Sequence, residues 1–291
     1  MILVTGATGK VGGQVAAQLV AAGVPVRVLV RDPRTAALPE AVEAARGELV
    51  DVVRGDLTNP ASLTEALTGE VERAFLMWPL DGPHGAAEVV TALAAGVRRI
   101  VYLSTRGVPD DDSAPLGEDI LGTHAALERR VRGSGVEWTL LRPGGFAGNT
   151  LGWAPQVRAG GPVRLAHPQA ARTLVHEADV ATAAVRALLT DELVGAAPEL
   201  TGPELLTQAE QVAVIGEVVG RPLTVEKLSR EEARADFLAA GLPPAYVEGI
   251  LDAHAAMETD PETVAPGSSE LLGRPALTYR QWVTDHLADF R

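Results

Sequence analysis

The sequence predicts an α/β fold in which helices cover both faces of a parallel sheet, followed by a smaller, mostly helical part. Three observations lead to this prediction. Strand patterns alternate with helical patterns through the first half of the chain. The strands are apolar throughout, which indicates burial on both faces of the sheet. After Arg142 the alternation stops, and glycines and helix-capping patterns follow.

The first half contains six predicted strands and four predicted helices, taken in chain order. The strands are predicted at residues 2–4, 26–30, 49–53, 74–78, 100–104 and 138–141. The helices are predicted at residues 11–22, 59–67, 86–95 and 118–132. Asn59 and Pro60 suit an N-cap and the first helical position of the second helix. The fourth helix places Ile120, His124, Leu127 and Val131 on one face.

The second half shows three capping-box patterns, each of which predicts the start of a helix. Regular structure is also expected at residues 172–175 and in a helix at 180–189, with Asp179 as its N-cap. The capping boxes are Thr207 with Glu210, Ser229 with Glu232, and Thr278 with Gln281.

The composition of the chain limits the classes of function that the protein can have. The 291 residues are 46% hydrophobic and 22% charged, as in a globular protein, with a net charge of −13. No cluster of Lys and Arg suggests a nucleic-acid surface. The absence of cysteine excludes disulfides, thiolate metal sites and cysteine nucleophiles. The apolar run at 74–78 is too short to cross a membrane, and the first strand begins at Ile2. We therefore expect a cytoplasmic protein, and its oligomeric state stays open.

A glycine-rich turn joins the first strand to the first helix. Gly6, Gly9 and Gly12 form the spacing G-x-x-G-x-x-G at the position where a Rossmann fold binds a dinucleotide. Such a turn is tight, lets the backbone approach the pyrophosphate, and packs the helix close to the sheet. A glycine-rich turn without a ligand is the alternative, but the strand–turn–helix context favours binding. The predicted phosphate site comprises Gly6, Thr8, Gly9, Lys10, Val11 and Gly12.

The end of the second predicted strand indicates which nucleotide is bound. Arg31 stands where the usual fingerprint has an acid, and its planar fork suits a 2′-phosphate. This favours NADP(H), while Asp32 in the acid's role would admit NAD(H). Asp56, followed by Leu57, comes after the third strand, where a carboxylate can accept a hydrogen bond from the adenine amino group. A plain turn aspartate is the alternative for Asp56.

These motifs resemble the NmrA-like group of the atypical short-chain dehydrogenase/reductases, which includes quinone reductases and redox sensors. The resemblance covers nearly the whole chain. It implies an NADPH-type site in an N-terminal domain, residues 1–151 with 170–195 returning to it. It also implies a substrate lobe formed by residues 152–169 and 196–291. The matching segments are residues 4–12, 30–33, 54–57, 141–144, 175–181 and 200–204, and Trp282.

One departure from the family's wider pattern affects the chemistry. Typical short-chain dehydrogenases carry Tyr-x-x-x-Lys on the helix after the fifth strand, and here Ile120 and His124 take those places. Ser104 or Thr105 would supply the usual hydroxyl. His124 is a candidate proton donor, a candidate for orienting the nicotinamide ribose, or a packed histidine. Trp78 ends the fourth strand at the ligand-binding edge, where it would contact the cofactor or pack in the core.

The sequence thus predicts an NADP-dependent reductase of a small, electrophilic, quinone-like or aromatic acceptor. Quinones accept hydride with little help from a protein acid, which fits the missing Tyr-Lys pair. The alternative is a non-catalytic NADP(H)-binding redox sensor. No metal site is expected, because the histidines show no ligand spacing. The partners expected are small molecules, without nucleic acid or membrane.

Overall fold

The computed structural model describes residues 1–80, 82–117 and 119–291, apart from the side chain of Ala245. Its strands are β1 Ile2–Thr5, β2 Val26–Val30, β3 Val50–Arg54, β4 Arg73–Met77, β5 Arg99–Leu103, β6 Glu137–Pro143, β7 Val163–Leu165, β8 Ala171–Arg172, β9 Glu199–Leu200, β10 Leu206–Thr207 and β11 Val225–Lys227. Its helices are α1 Lys10–Ala21, α2 Glu40–Ala44, α3 Leu63–Ala66, α4 Ala86–Gly96, α5 Ile120–Arg132, α6 Ala154–Ala159, α7 Glu177–Leu189, α8 Gln208–Val219, α9 Arg230–Ala239, α10 Pro244–Ala256, α11 Ser268–Leu272 and α12 Tyr279–Asp285. Short 3-10 turns lie at Pro60–Ser62, Ala147–Trp153 and Leu287–Phe290.

The chain folds as two compact units. Unit 1 comprises Met1–Pro143 and Glu177–Leu200, and unit 2 comprises Gly144–His176 and Thr201–Arg291. These bounds differ by several residues from the division expected from the sequence, because the chain leaves unit 1 directly after β6 and returns with α7. The assignment of the second part to substrate binding stays a prediction.

Unit 1 contains a seven-stranded sheet in the order β3-β2-β1-β4-β5-β6-β9, with all neighbours parallel. The predicted α/β fold with a doubly wound parallel sheet is therefore confirmed. The strand order reverses between β1 and β4, and in such sheets ligands bind at the carboxyl ends of the strands beside this point. The glycine-rich turn follows β1 at this edge.

The apolar strands explain the burial of this sheet. All four residues of β1 and all five of β5 are buried. Helix α1 buries the face with Val15, Ala16 and Leu19, each at 0% exposure. The six strands predicted in this unit are present. The seventh, β9, has two residues and no apolar run, so the sequence pattern did not reveal it.

Two predicted helix starts need correction. Asp179 is not an N-cap, because α7 begins at Glu177 and both carboxylates lie in its first turn, where they favour the helix dipole. Asn59 stands at the N-cap position before Pro60, as predicted, but the segment begins as a 3-10 turn that continues into the short α3, and the Asn59 side chain makes no capping hydrogen bond. The predicted start of the fourth helix, Glu118, lies outside the described residues, and Asp119 caps α5 by accepting from the Gly122 N–H at 2.8 Å.

Unit 2 has six helices among its described residues and two pairs of short strands, β8 with β10 and β7 with β11. The three predicted capping boxes are confirmed, each with both reciprocal hydrogen bonds. The main core packs Trp282 and Phe290, both at 0% exposure, against apolar residues of α6 and α8. A smaller cluster lies around Val247 and Leu251.

Candidate cofactor and active site

The three glycines of the turn have different surroundings. Gly6 has φ +67°, which favours glycine, and a Cβ there would approach Met77 Cε at 2.5 Å. A Cβ on Gly12 would meet the Gly6 carbonyl oxygen at 2.3 Å, so the start of α1 packs directly on the turn. A Cβ on Gly9 would approach the same oxygen at 3.3 Å and no other described atom within 4 Å. Apart from this one tight contact, the space beside Gly9 is open.

The N-terminus of α1 is arranged to bind an anion. Gly9 is the N-cap, no side chain caps this end, and no acidic residue lies in the first turn. Its first N–H groups and the helix dipole therefore suit a phosphate. Thr8 and Lys10 are exposed at the same place. The room beside Gly9 and the uncapped helix end fit the pyrophosphate of a dinucleotide.

Arginines gather at the ends of β2 and β3. Arg31 is exposed and forms no hydrogen bond or ion pair within the described part of the chain. Arg54 is also exposed and stands in register with Val30. Asp32 accepts from the Arg34 N–H at 3.0 Å and from its guanidinium at 3.2 Å, and these bonds lower the pKa of Asp32. The acid next to Arg31 is thus paired with Arg34, whereas Arg31 remains available.

Asp56 shapes the turn after β3. One of its carboxylate oxygens accepts from both the N–H and the hydroxyl of Thr58, at 2.9 and 2.8 Å, and these bonds lower the pKa of Asp56. Its own N–H donates to Ser62 Oγ at 2.9 Å. The Leu57 side chain is 7% exposed and belongs to the unit 1 core. Both residues therefore have a structural role, and contact with adenine stays a prediction.

Trp78 is packed in the core of unit 1. Its side chain is 8% exposed, and its indole N–H donates to the Gly82 carbonyl at 3.0 Å. This contact satisfies the polar end of the ring. The geometry accounts for Trp78 by packing, and a contact with the cofactor stays a prediction.

Ser104, at the end of β5, belongs to a buried ionic cluster that the sequence did not reveal. Its hydroxyl donates to Glu128 Oε1 at 2.5 Å. Arg142 donates to both oxygens of Glu128, at 2.9 and 2.7 Å, and these side chains are 5% and 0% exposed. The Ser104 proton is thereby engaged, while Thr105 beside it is partly exposed. The sequence gives no signal for the pairing of Glu128 with Arg142, because the two residues come together only when α5 packs on β6.

Arg142 and a second arginine, Arg132, form ion pairs with the loop that follows β5. Arg142 donates to Asp110 at 2.7 Å, and Arg132 donates to Asp112 at 2.8 Å. Asp110 and Asp112 of the acidic run 110–112 therefore have ion-pair partners. Among the described residues, no group of three His, Asp or Glu side chains could hold a metal ion.

His124 and Tyr102 form the other polar pair of this region. The Tyr102 hydroxyl lies 2.6 Å from His124 Nδ1, with Tyr102 at 0% exposure. Burial lowers the pKa of His124 to about 4 and raises that of Tyr102 well above its usual value. His124 is therefore neutral near pH 7. Leu127 and Val131 are buried on the helix as expected, but Ile120 is 56% exposed, since it lies in the first turn beyond the packed face.

No helix within the described ranges is both long and apolar enough to cross a membrane. Unit 1 contains three of the predicted site features: the open turn at Gly9, the exposed Arg31 and the His124–Tyr102 pair.

Comparison with known proteins identifies the family. A family model described as NAD(P)H-binding matches residues 6–191. The (4-alkanoyl-5-oxo-2,5-dihydrofuran-3-yl)methyl phosphate reductase of Streptomyces griseus subsp. griseus is 40% identical over 293 residues, covering 100% of this chain and 99% of that protein. The NAD(P)H azoreductase of Xenophilus azovorans is 31% identical over 294 residues, covering 100% and 99%.

A solved structure matches over the same length. It is the NADPH-dependent quinone oxidoreductase from Escherichia coli in complex with NADPH, with a TM-score of 0.80 and 28% identity over 99% of this chain and 100% of that one. These full-length relatives confirm the predicted NAD(P)H-dependent oxidoreduction in its general form. The chain belongs to the NAD(P)H-binding family, as an NmrA-like member of the atypical short-chain dehydrogenase/reductases.

Proposed function

We propose that this protein reduces a small, conjugated, electron-poor acceptor, quinone-like or aromatic, with NADPH and without the usual Tyr-Lys pair. The observation that carries the proposal is the first turn of α5. Ile120, at the tyrosine place, is 56% exposed and has no proton to give. His124, at the lysine place, has Nδ1 bound to Tyr102 and a pKa lowered to about 4, so it carries no positive charge near pH 7.

Such a site suits acceptors that need no strong protein acid. Reduction of a simple ketone concentrates negative charge on one oxygen, which is costly in a dry cleft without a matched acid. A conjugated acceptor spreads that charge over several atoms. The hydroxyl of Ser104 is engaged with Glu128, which leaves Thr105 as the hydroxyl candidate at the end of β5.

The names of the relatives support this acceptor class. One relative reduces an alkanoyl-substituted oxo-dihydrofuran, one is an azoreductase, and one structural neighbour is a quinone oxidoreductase. The acceptors differ in structure, but each is a conjugated system that accepts two electrons. We infer an acceptor of the same electronic kind for this protein.

The preferred cofactor in this proposal is NADP(H), which supplies the hydride when bound. Arg31, with Arg54 beside it, would hold the 2′-phosphate through charge-assisted hydrogen bonds. Gly9 and the N-terminus of α1 would hold the pyrophosphate. Asp32 is paired with Arg34 and is thus less suited to the ribose hydroxyls of NAD(H). Unit 2 would bind the acceptor.

Steady-state kinetics test the proposal. NADPH consumption is measured with a simple quinone, an azo compound and an acyl-substituted unsaturated lactone, and then with an aliphatic ketone and a secondary alcohol with NADP. We expect turnover with at least one conjugated acceptor and little or none with the ketone or the alcohol. Efficient ketone reduction would contradict the proposal. Tight NADPH binding without turnover of any acceptor would favour the redox-sensor alternative.

A further inference from the structure

The hydrogen bond between Tyr102 and His124 indicates which ring nitrogen of His124 carries the proton. Tyr102 lies on β5 and His124 in the second turn of α5, with 2.6 Å between the hydroxyl oxygen and Nδ1. The ring centroids are 5.8 Å apart, so the contact is made by the polar atoms and not by stacking. Both residues belong to unit 1.

The direction of this hydrogen bond follows from burial. The Tyr102 side chain has no exposure, and within the described residues its hydroxyl has no partner other than His124. If Nδ1 were the donor, the tyrosine proton would be buried without an acceptor, which costs free energy. The tyrosine must therefore donate and Nδ1 must accept. A neutral imidazole that accepts at Nδ1 carries its proton on Nε2.

The Nε2 side of the ring is the available side. His124 is partly exposed, and its Nε2 forms no hydrogen bond within the described part of the chain. It is also not among the described buried polar atoms that lack a partner. The Nε2–H group therefore reaches an accessible surface, one helical turn from the exposed Ile120.

We propose that Tyr102 is a positioning residue that holds His124 as the Nε2–H tautomer, so that His124 donates a hydrogen bond to the oxygen of the conjugated acceptor. This inference rests on the proposed function. The apolar Ile120 beside a single neutral donor suits a flat acceptor that presents one of its carbonyl oxygens to His124.

The electron and proton balance of the step is simple. Hydride transfer oxidises NADPH and places two electrons on the acceptor, whose conjugated oxygen becomes negatively charged. His124 stabilises that oxygen through the Nε2–H bond and keeps its proton, as a neutral imidazole can. A proton from water completes the reduction. His124 thus stabilises the negative oxygen through a hydrogen bond, whereas the usual tyrosine would transfer a proton to it.

The tautomer is measured directly by ¹⁵N NMR of the histidine side chains, with His124 assigned by its loss in His124→Gln. In the wild type we expect a pyridine-type Nδ1 and a pyrrole-type Nε2. In Tyr102→Phe, which keeps the ring and removes the hydroxyl, we expect a mixture of both tautomers. The turnover number with a conjugated acceptor should fall roughly 10-fold, the size of one hydrogen bond, with the NADPH dissociation constant unchanged.

Tyr279→Phe is the matched control, because Tyr279 is also buried and donates to Thr150 Oγ1 at 2.9 Å in unit 2. It should leave the His124 nitrogen signals unchanged. A wild type with the proton on Nδ1, or unchanged signals in Tyr102→Phe, would overturn the tautomer. A loss confined to NADPH affinity would overturn the assignment to the acceptor oxygen. If the wild type reduces no acceptor, the proposed function fails, while the NMR still decides the tautomer.

Discussion

The two halves of unit 1 present their polar groups in opposite ways. In the first half, from β1 to β3, the polar groups proposed to bind a ligand are backbone N–H groups at the start of α1 and the exposed Arg31. In the second half, from β5 to β6, the polar side chains are buried and bonded to one another, as in Glu128 with Arg142 and Tyr102 with His124. We therefore expect the first half to bind a ligand through backbone groups and Arg31, and the second half to act through side chains that other side chains hold in place.

This difference predicts how variants behave. Changes in the first half should reduce nucleotide binding without unfolding the protein. Changes in the second half should alter stability or the state of another side chain. The predictions below test this contrast, from the largest effect to the smallest.

Gly9→Val should abolish binding of NADPH and NADH with the fold retained. The added Cβ would make one tight contact, 3.3 Å from the Gly6 carbonyl oxygen, which a small backbone shift relieves, and the branched side chain would occupy the space beside the turn where the pyrophosphate must pass. Calorimetric titration measures binding, and circular dichroism measures the fold. Gly12→Val is the contrasting variant, because its Cβ would meet the Gly6 carbonyl oxygen at 2.3 Å and should destabilise the turn. Native structure with intact binding in Gly9→Val would place the nucleotide elsewhere.

Glu128→Ala should lower the free energy of unfolding by about 3–5 kcal/mol, because it leaves the buried Arg142 without its buried partner and with only the exposed Asp110. Urea unfolding measures the loss. The matched control is Glu248→Ala, which breaks exposed ion pairs with Arg230 and Arg234 in unit 2 and should change stability much less. Equal losses in the free energy of unfolding would contradict a stabilising role of the buried Glu128–Arg142 pair.

Arg31→Ala should weaken NADPH binding by about 1.5–3 kcal/mol, the range for hydrogen bonds to a charged group, and leave NADH binding almost unchanged. Arg98→Ala is the control, because Arg98 lies next to the amino end of β5, away from the ligand edge, and pairs with Glu137 at 3.0 Å. Calorimetric titration with NADPH and with NADH measures both changes in affinity. Equal losses for the two nucleotides, or a wild type that prefers NADH, would refute the role of Arg31.

Stability should fall as the pH drops from about 7 toward 4. Burial lowers the pKa of His124 and of His254 to about 4, below the roughly 6.5 of an unfolded histidine. Between these values the unfolded chain binds more protons, so protonation favours unfolding. Each histidine should contribute roughly 1 kcal/mol of loss by pH 5.5. His124→Gln and His254→Gln should each flatten the dependence in urea titrations, and an unchanged slope would contradict the burial argument.

The same contrast explains what the sequence could predict. The glycine turn, Arg31 and the six strands are visible because they depend on local spacing and on apolar runs. The capping boxes are visible for the same reason, since Thr207 and Glu210 are three residues apart. The buried pairs are not local. Tyr102 and His124 are 22 residues apart, and Glu128 and Arg142 are 14 residues apart, so only the packing of α5 on the sheet brings them together.

The central claim is that hydride reaches a conjugated carbon and not an isolated carbonyl. The direct measurement uses NADPH deuterated at the transferred position and an acyl-substituted unsaturated lactone, with the product examined by mass spectrometry and NMR. The account predicts one deuterium on the ring carbon β to the carbonyl groups, with both carbonyl groups intact. Deuterium on a newly formed alcohol carbon would contradict it, because that product requires the protein acid that Ile120 does not provide.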